Sequence, residues 1–115
     1  MRNLKEFLGK EVYIVIDRPL GSAHPKHDDI IYLVNYGYIP DTLGGDGEEI
    51  DVYLLGVSVP VRDFACRIIA VIERIDDNED KLVAAPVGSK FSKEEIERFT
   101  NFQEQYFDTR IITGE

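Results

Sequence analysis

The residues with the clearest chemical capacity are carboxylates at a glycine turn. Asp46, Glu48, Glu49 and Asp51 sit in the stretch DGEEID, where Gly44, Gly45 and Gly47 mark a turn and Asp51 enters an apolar, β-branched run. Oxygen ligands on the two sides of such a turn can converge on a hard cation such as Mg²⁺, which binds through a few carboxylates and keeps several waters. A second acidic turn, Asp76-Asp77-Asn78-Glu79-Asp80, lies further along. If the two turns share one end of a small fold, their carboxylates meet. Two like charges ~4 Å apart cost several kcal/mol at intermediate dielectric. Divalent cations remove that cost, lower the pKa of a water held between them and neutralise phosphate charge as it shifts toward a leaving group. Each turn alone also reads as ordinary solvated surface; a metal site requires both.

Tyr32, Tyr36 and Tyr38 have even spacing, which places them on one face of a strand. Their hydroxyls can donate to phosphate oxygens, or the three rings can form a half-buried aromatic face. Lys81 directly follows the second acidic turn, where its ammonium can hold a phosphate or pair with Asp80. His24 and His27 share the loop HPKH. Two histidines are a weak zinc signal, which leaves contact with an anionic substrate or plain loop surface. Cys66, the one cysteine, lies inside the apolar run 64–72 and reads as a buried, inert thiol.

These groups need elements to position them. Glu11–Asp17 has the β-branched and aromatic content of a strand, Ile50–Val57, the apolar Ala65–Ile75 and Lys81–Val87 read as further strands, and Ile30–Ile39 is strand-like with Gly37 implying a bulge or a close backbone approach. Leu4–Leu8 reads as one helical turn closed by Gly9, and Arg18–Asp29 as a loop broken by Pro19, Gly21 and Pro25. From Phe91 to Phe107 the period changes. Ser92 and Glu95 form a capping box, and Ile96, Phe99, Phe102, Tyr106 and Phe107 recur at helical steps. The expected fold is mainly β (α+β): a small five-stranded, antiparallel Greek-key barrel of the OB type covered by a C-terminal α-helix. Residues 1–115 read as a single domain.

The formal net charge of −9 argues against a nucleic-acid partner, because the phosphate backbone is repelled. No apolar run approaches the ~20 residues of a membrane span. No signal-peptide pattern is visible at Met1–Gly9. A cytoplasmic location is the expectation.

The run YLVNYGYIPDTLGGDGEEIDVYLLG resembles the signature of the soluble, Mg²⁺-dependent (family I) inorganic pyrophosphatases, in which a tyrosine-rich NYGY segment precedes a D-x-D-x-x-D-V motif. The similarity continues through the second acidic turn into KLVAAP and on to FQEQY, and spans roughly Val12 to Phe107. It implies a five-stranded OB-like barrel, hydrolysis of pyrophosphate to two phosphates, and a homo-oligomer. It also implies Mg²⁺ as cofactor, and an all-oxygen site can take Mn²⁺ as well. By motif position, Asp46 and Asp51 would be metal ligands, with Asp51 bridging two ions. Glu48 would accept a proton from the attacking water. Asp76, Asp77 and Asp80 fall in the second metal cluster, with Glu79 and Asp80 both open for its central position. Lys81, Tyr36 and Tyr106 match phosphate-contacting positions, Tyr32 a site tyrosine, and Asp17 an acidic position at the end of the first long strand.

The chain departs from the family in three places. The middle acid is Glu48 where the family has Asp, and one methylene moves a base by about 1 Å, a displacement that can cost ~100-fold in rate. The family's cation-bearing hairpin is compressed into Arg18–Asp29, where Arg18, His24, Lys26 and His27 are candidate replacements and Lys26 stands for the family's lysine. Phe107 occupies the place of another phosphate-binding lysine, with Arg110 the candidate to compensate. These departures keep two alternatives beside pyrophosphate hydrolysis by direct attack of activated water. One is a hydrolase of another phosphorylated small molecule. The other is a catalytically weak metal- or phosphate-binding module.

Overall fold

A computed structural model describes residues 4–43, 47–75 and 79–114. Five strands close into a barrel: β1 (Glu11–Arg18), β2 (Asn35–Ile39), β3 (Ile50–Leu54), β4 (Asp63–Arg74) and β5 (Lys81–Ala85). Around the ring the order is β1-β2-β3-β5-β4, closed by the β1–β4 pairing. Helix α1 (Lys93–Glu104) follows, and β6 (Thr109–Thr113) then joins the free side of β4. A turn of 3-10 helix, Leu4–Phe7, precedes β1, and Gly9 ends it at φ +82°.

The barrel is not wholly antiparallel, contrary to the expectation from sequence. β3 and β5 run parallel, Val52 against Leu82 and Leu54 against Ala84. A closed ring of five strands cannot alternate direction throughout, so at least one parallel pair is required. Three further differences have local causes. Residues 30–34 are not strand; β2 begins at Asn35, and Ile31 makes only an isolated bridge to Ala23. Helix α1 stops at Glu104, so Tyr106 and Phe107 lie beyond its end, and its buried face is Ile96, Thr100, Gln103 and Glu104. The sequence reading missed β6, a five-residue edge strand too short for its alternation to stand out.

The capping box is present: Ser92 Oγ accepts from Glu95 N–H at 3.1 Å, and Glu95 Oε1 accepts from Ser92 N–H at 2.9 Å. Two apolar layers result. Ile14, Ile16, Val52, Leu54, Ile68 and Val71 fill the barrel with other aliphatic side chains. Tyr32, Tyr36, Tyr53, Ile72, Val83 and Ile96 form a second layer, against which Phe99 and Phe102 pack. Gly37 is where β1 and β2 approach closely: a Cβ there would stand 1.8 Å from the Val15 carbonyl oxygen, so no other residue fits.

Candidate active site

One cavity of about 850 Å³ opens between the barrel wall, the loop after β1 and the C-terminal end of α1. β1 delivers two consecutive residues to it. Neighbours in a regular strand point to opposite faces. Here Ile16 pairs with Gly37 and Arg18 with Tyr36, so Asp17 is an extra residue in a bulge. Asp17 and Arg18 both line the cavity as a result. The Asp17 carboxyl is shifted above the ordinary carboxylate range, first by burial and then by the negative charges of Asp51 and Glu49, with Arg18 opposing.

Asp51 stands opposite Tyr38 on β2 and beside the start of β5. Its Oδ2 accepts from the Tyr36 hydroxyl at 2.9 Å and from Lys81 Nζ at 2.6 Å. Lys81 is buried to 4% side-chain exposure, while Asp51 keeps 32%. Lys81 Nζ also donates to Glu79 Oε2 at 3.2 Å. Burial and the Asp51 charge hold the Tyr36 phenol well above its usual range, so it remains a neutral donor.

Behind this cluster runs a buried polar chain that the sequence reading missed. Arg74, at the end of β4, donates to both oxygens of Glu104, Nε at 3.0 Å and Nη2 at 2.7 Å. Glu104 Oε2 accepts from the Tyr53 hydroxyl at 2.5 Å, Gln103 Nε2 donates to that hydroxyl at 2.6 Å, and Gln103 Oε1 accepts from the Tyr32 hydroxyl at 2.6 Å. Arg18 Nη1 completes the chain by donating to the Tyr32 hydroxyl at 2.7 Å. Burial opposes the charge on Arg74, but the two bonds to Glu104 outweigh it and raise its pKa further. The guanidinium also lies 3.6 Å from the centre of the Phe107 ring. The available signal was Gln103-Glu104 inside FQEQY, polar residues on the side of the helix that faces the barrel.

Of the residues singled out from sequence, Glu48, Asp51, Lys26, Tyr36, Lys81 and Tyr106 all line the cavity. Tyr32 is fully buried behind it and acts through Arg18 and Gln103. Glu79 lines the cavity, whereas Asp80 is outside its lining and accepts from the Arg74 backbone N–H at 3.0 Å. Arg110 is also elsewhere, in an exposed pair with Glu73 at 2.7 Å beside a separate groove between α1 and β6. The cation nearest Phe107 is Arg74 instead. Asp46, Asp76 and Asp77 lie outside the described residues. Among the described residues no three acids, histidines or cysteines gather closely enough to hold an ion. The donor chemistry nevertheless suits a hard cation. Asp17, Glu48, Glu49 and Asp51 border one space, and carboxylate oxygens are the ligands such a cation takes.

The family model described as inorganic pyrophosphatase matches residues 6–111. An inorganic pyrophosphatase of Xylella fastidiosa is 38% identical over 105 residues, covering 74% of this chain and 59% of that protein. One of Caulobacter vibrioides is 33% identical over 86 residues, covering 69% of this chain and 49% of that protein. The chain thus spans between half and three-fifths of the length of these curated relatives. Among solved structures, the inorganic pyrophosphatase of Ehrlichia chaffeensis superposes with a TM-score of 0.70 at 20% identity, covering 92% of this chain and 87% of that one. The inorganic pyrophosphatase of Neisseria gonorrhoeae gives 0.64 at 25% identity, covering 90% and 81%. With the family match running over nearly the whole chain and the barrel shared with these structures, the chain belongs to the inorganic pyrophosphatase family.

Proposed function

We propose that this chain hydrolyses inorganic pyrophosphate to two phosphates, by direct attack of water and without a covalent intermediate. The observation that carries this reading is the convergence of Asp51, Lys81 and Tyr36 in a cavity whose wall also holds Asp17, Arg18 and Lys26. Asp46, Asp51, Asp76 and Asp77 are the proposed metal ligands, with the central place of the second cluster open to Asp80 or to Glu79, which lines the cavity. Mg²⁺, or Mn²⁺ in its place, would lower the pKa of water and offset phosphate charge when bound there. Glu48 takes the proton of the attacking water at its carboxylate. Lys81 has three N–H donors and spends two on Asp51 and Glu79, so the third can reach a phosphate oxygen. Tyr36, Tyr106 and Lys26 contribute further donors from the cavity wall, and Tyr32 fixes Arg18. Charge positioned before the reaction is the main catalytic resource in phosphoryl transfer. Under this reading the protein works in the cytoplasm, as a homo-oligomer.

The test is Asp51→Asn. Removing one carboxylate charge while keeping shape is expected to cut phosphate release from pyrophosphate with Mg²⁺ by at least about a hundredfold. Unchanged turnover would remove the assignment. A second reading, hydrolysis of a different phosphorylated small molecule, draws on Phe107 and on Arg110 lying outside the cavity. A substrate panel separates the two, and a clear preference for pyrophosphate rules out the second.

A further inference from the structure

The loop after β1 is built as a small ordered hairpin. Gly21 N–H donates to Tyr32 O and Tyr32 N–H to Ser22 O, each at 2.8 Å; His24 N–H donates to Ile30 O at 2.8 Å, and Ile30 N–H to His27 O at 2.9 Å. The tip of this hairpin is His24-Pro25-Lys26-His27, and all four residues line the cavity. The side chains there are mutually organised. His24 Nδ1 accepts the Lys26 backbone N–H at 3.0 Å, which leaves Nε2 to carry the proton of the neutral ring. The His24 ring lies parallel to Tyr32, 9° between planes, and its centre is 5.1 Å from that of His27. Tyr32 in turn holds Arg18. Four basic side chains therefore border the same space as the carboxylates Asp17, Glu48, Glu49 and Asp51.

We propose that His24 and His27, flanking Lys26, form a cationic wall that grips one phosphoryl group of the substrate while the carboxylate side holds the other through its cations, so that the two rings make substrate affinity depend on pH. This deepens the pyrophosphate reading and rests on it for the identity of the substrate. The charged and titratable groups around the rings are Arg18 from β1, Tyr32 stacked on His24, Lys26, Asp28 and Asp29 on the loop itself, and Asp17, Glu48 and Glu49 elsewhere on the cavity wall. Burial, then Arg18, His27 and Lys26, hold the His24 pKa below its usual value in the empty cavity. A bound polyanion opposes those cations and favours a proton on His24.

The experiment is titration calorimetry with imidodiphosphate, a P–N–P analogue that resists hydrolysis, in the presence of Mg²⁺. Wild type is compared with the double variant His24→Asn, His27→Asn at about pH 6 and about pH 8.5, on either side of the ordinary histidine pKa. Comparison at one pH cancels the titration of the ligand itself. The variant is expected to bind about fivefold more weakly at the lower pH, two exposed charge contacts of ordinary strength, and within about twofold of wild type at the higher. Wild type should also take up more protons on binding than the variant, read from the heat in buffers of different ionisation enthalpy. Equal affinity at both pH values, an equal loss at both, identical proton uptake, or no binding of imidodiphosphate by wild type would each overturn the proposal. Wild type that binds imidodiphosphate with this pH difference but fails to hydrolyse pyrophosphate would sink the proposed activity and leave the cationic wall standing.

Discussion

The two apolar layers of this molecule are made of different chemistry. The barrel interior is aliphatic: Ile14, Ile16, Val52, Leu54, Ile68 and Val71 close the ring without a hydroxyl among them. The layer under the helix is aromatic, and Tyr32, Tyr36 and Tyr53 each carry a hydroxyl to its edge. Both are equally buried, with Val52, Leu54, Tyr32 and Tyr53 all at 0% exposure. The difference lies in what each layer can hold in place. An aliphatic core fixes strands relative to one another and is indifferent to charge. A phenol buried by its ring and bonded at its tip can orient a charged group at the rim. Tyr36 does so for Asp51 and Tyr32 for Arg18, while Tyr53 holds the buried Glu104 behind them. The barrel is the frame, and the tyrosine layer joins that frame to the cavity.

The largest break in this comparison should come from the polar chain. Glu104→Gln leaves the guanidinium of Arg74 buried with its main countercharge removed, which is expected to cost about 3–5 kcal/mol in urea unfolding. The same variant should weaken activity in molecules that remain folded, because Tyr53, Gln103, Tyr32 and Arg18 all follow from that carboxylate. Leu54→Ala instead removes a fully buried side chain from the aliphatic layer. It is expected to cost about 3 kcal/mol of stability with kcat of the folded fraction nearly unchanged. If Leu54→Ala altered kcat as much as Glu104→Gln did, the division between the layers would be wrong.

Smaller effects sharpen the same contrast at its margins. Ser92→Ala removes the capping box and should cost about 1 kcal/mol, read as a lowered melting temperature. Cys66, buried in the aliphatic layer itself, tests that layer through pH. Burial pushes its thiol up to about 11. A group whose folded pKa is raised favours the folded state fully below its unfolded value near 8.5, and that contribution fades as pH rises toward the folded value. Stability should therefore decline between about pH 8.5 and 11, and Cys66→Ala should flatten part of that decline. Alkylation of Cys66 in native protein at neutral pH should be slow and should become fast in urea.

Much of the frame was legible in the sequence, and the reasons are local. β1 and β3 announce themselves by β-branched content, β5 by a short apolar run closed at Gly88, and Ser92 with Glu95 marks the helix start within four residues. Gly37 predicted a bulge or a close approach; the structure has the approach at Gly37 and the bulge on the partner strand at Asp17. What was not legible depends on pairing. A bulge is an extra residue relative to a partner, so Asp17 gives no sign of it alone. The bond from Arg74 to Glu104 joins residues 30 apart, and neither has a neighbour in sequence that names the other. The parallel pairing of β3 with β5 is a property of the closed ring. At the site, Asp51, Tyr36 and Lys81 were readable because they lie inside a recognisable motif, whereas Arg74 was not, and Arg110, chosen to compensate for Phe107, lies on another face.

The most direct measurement of the central claim is release of phosphate from pyrophosphate by the wild-type chain, with Mg²⁺ and after its removal by a chelator. Multiple turnover that requires the cation and returns when Mg²⁺ is restored is the predicted result. No phosphate release above the uncatalysed background in the presence of Mg²⁺, from protein shown to be folded, would contradict the account.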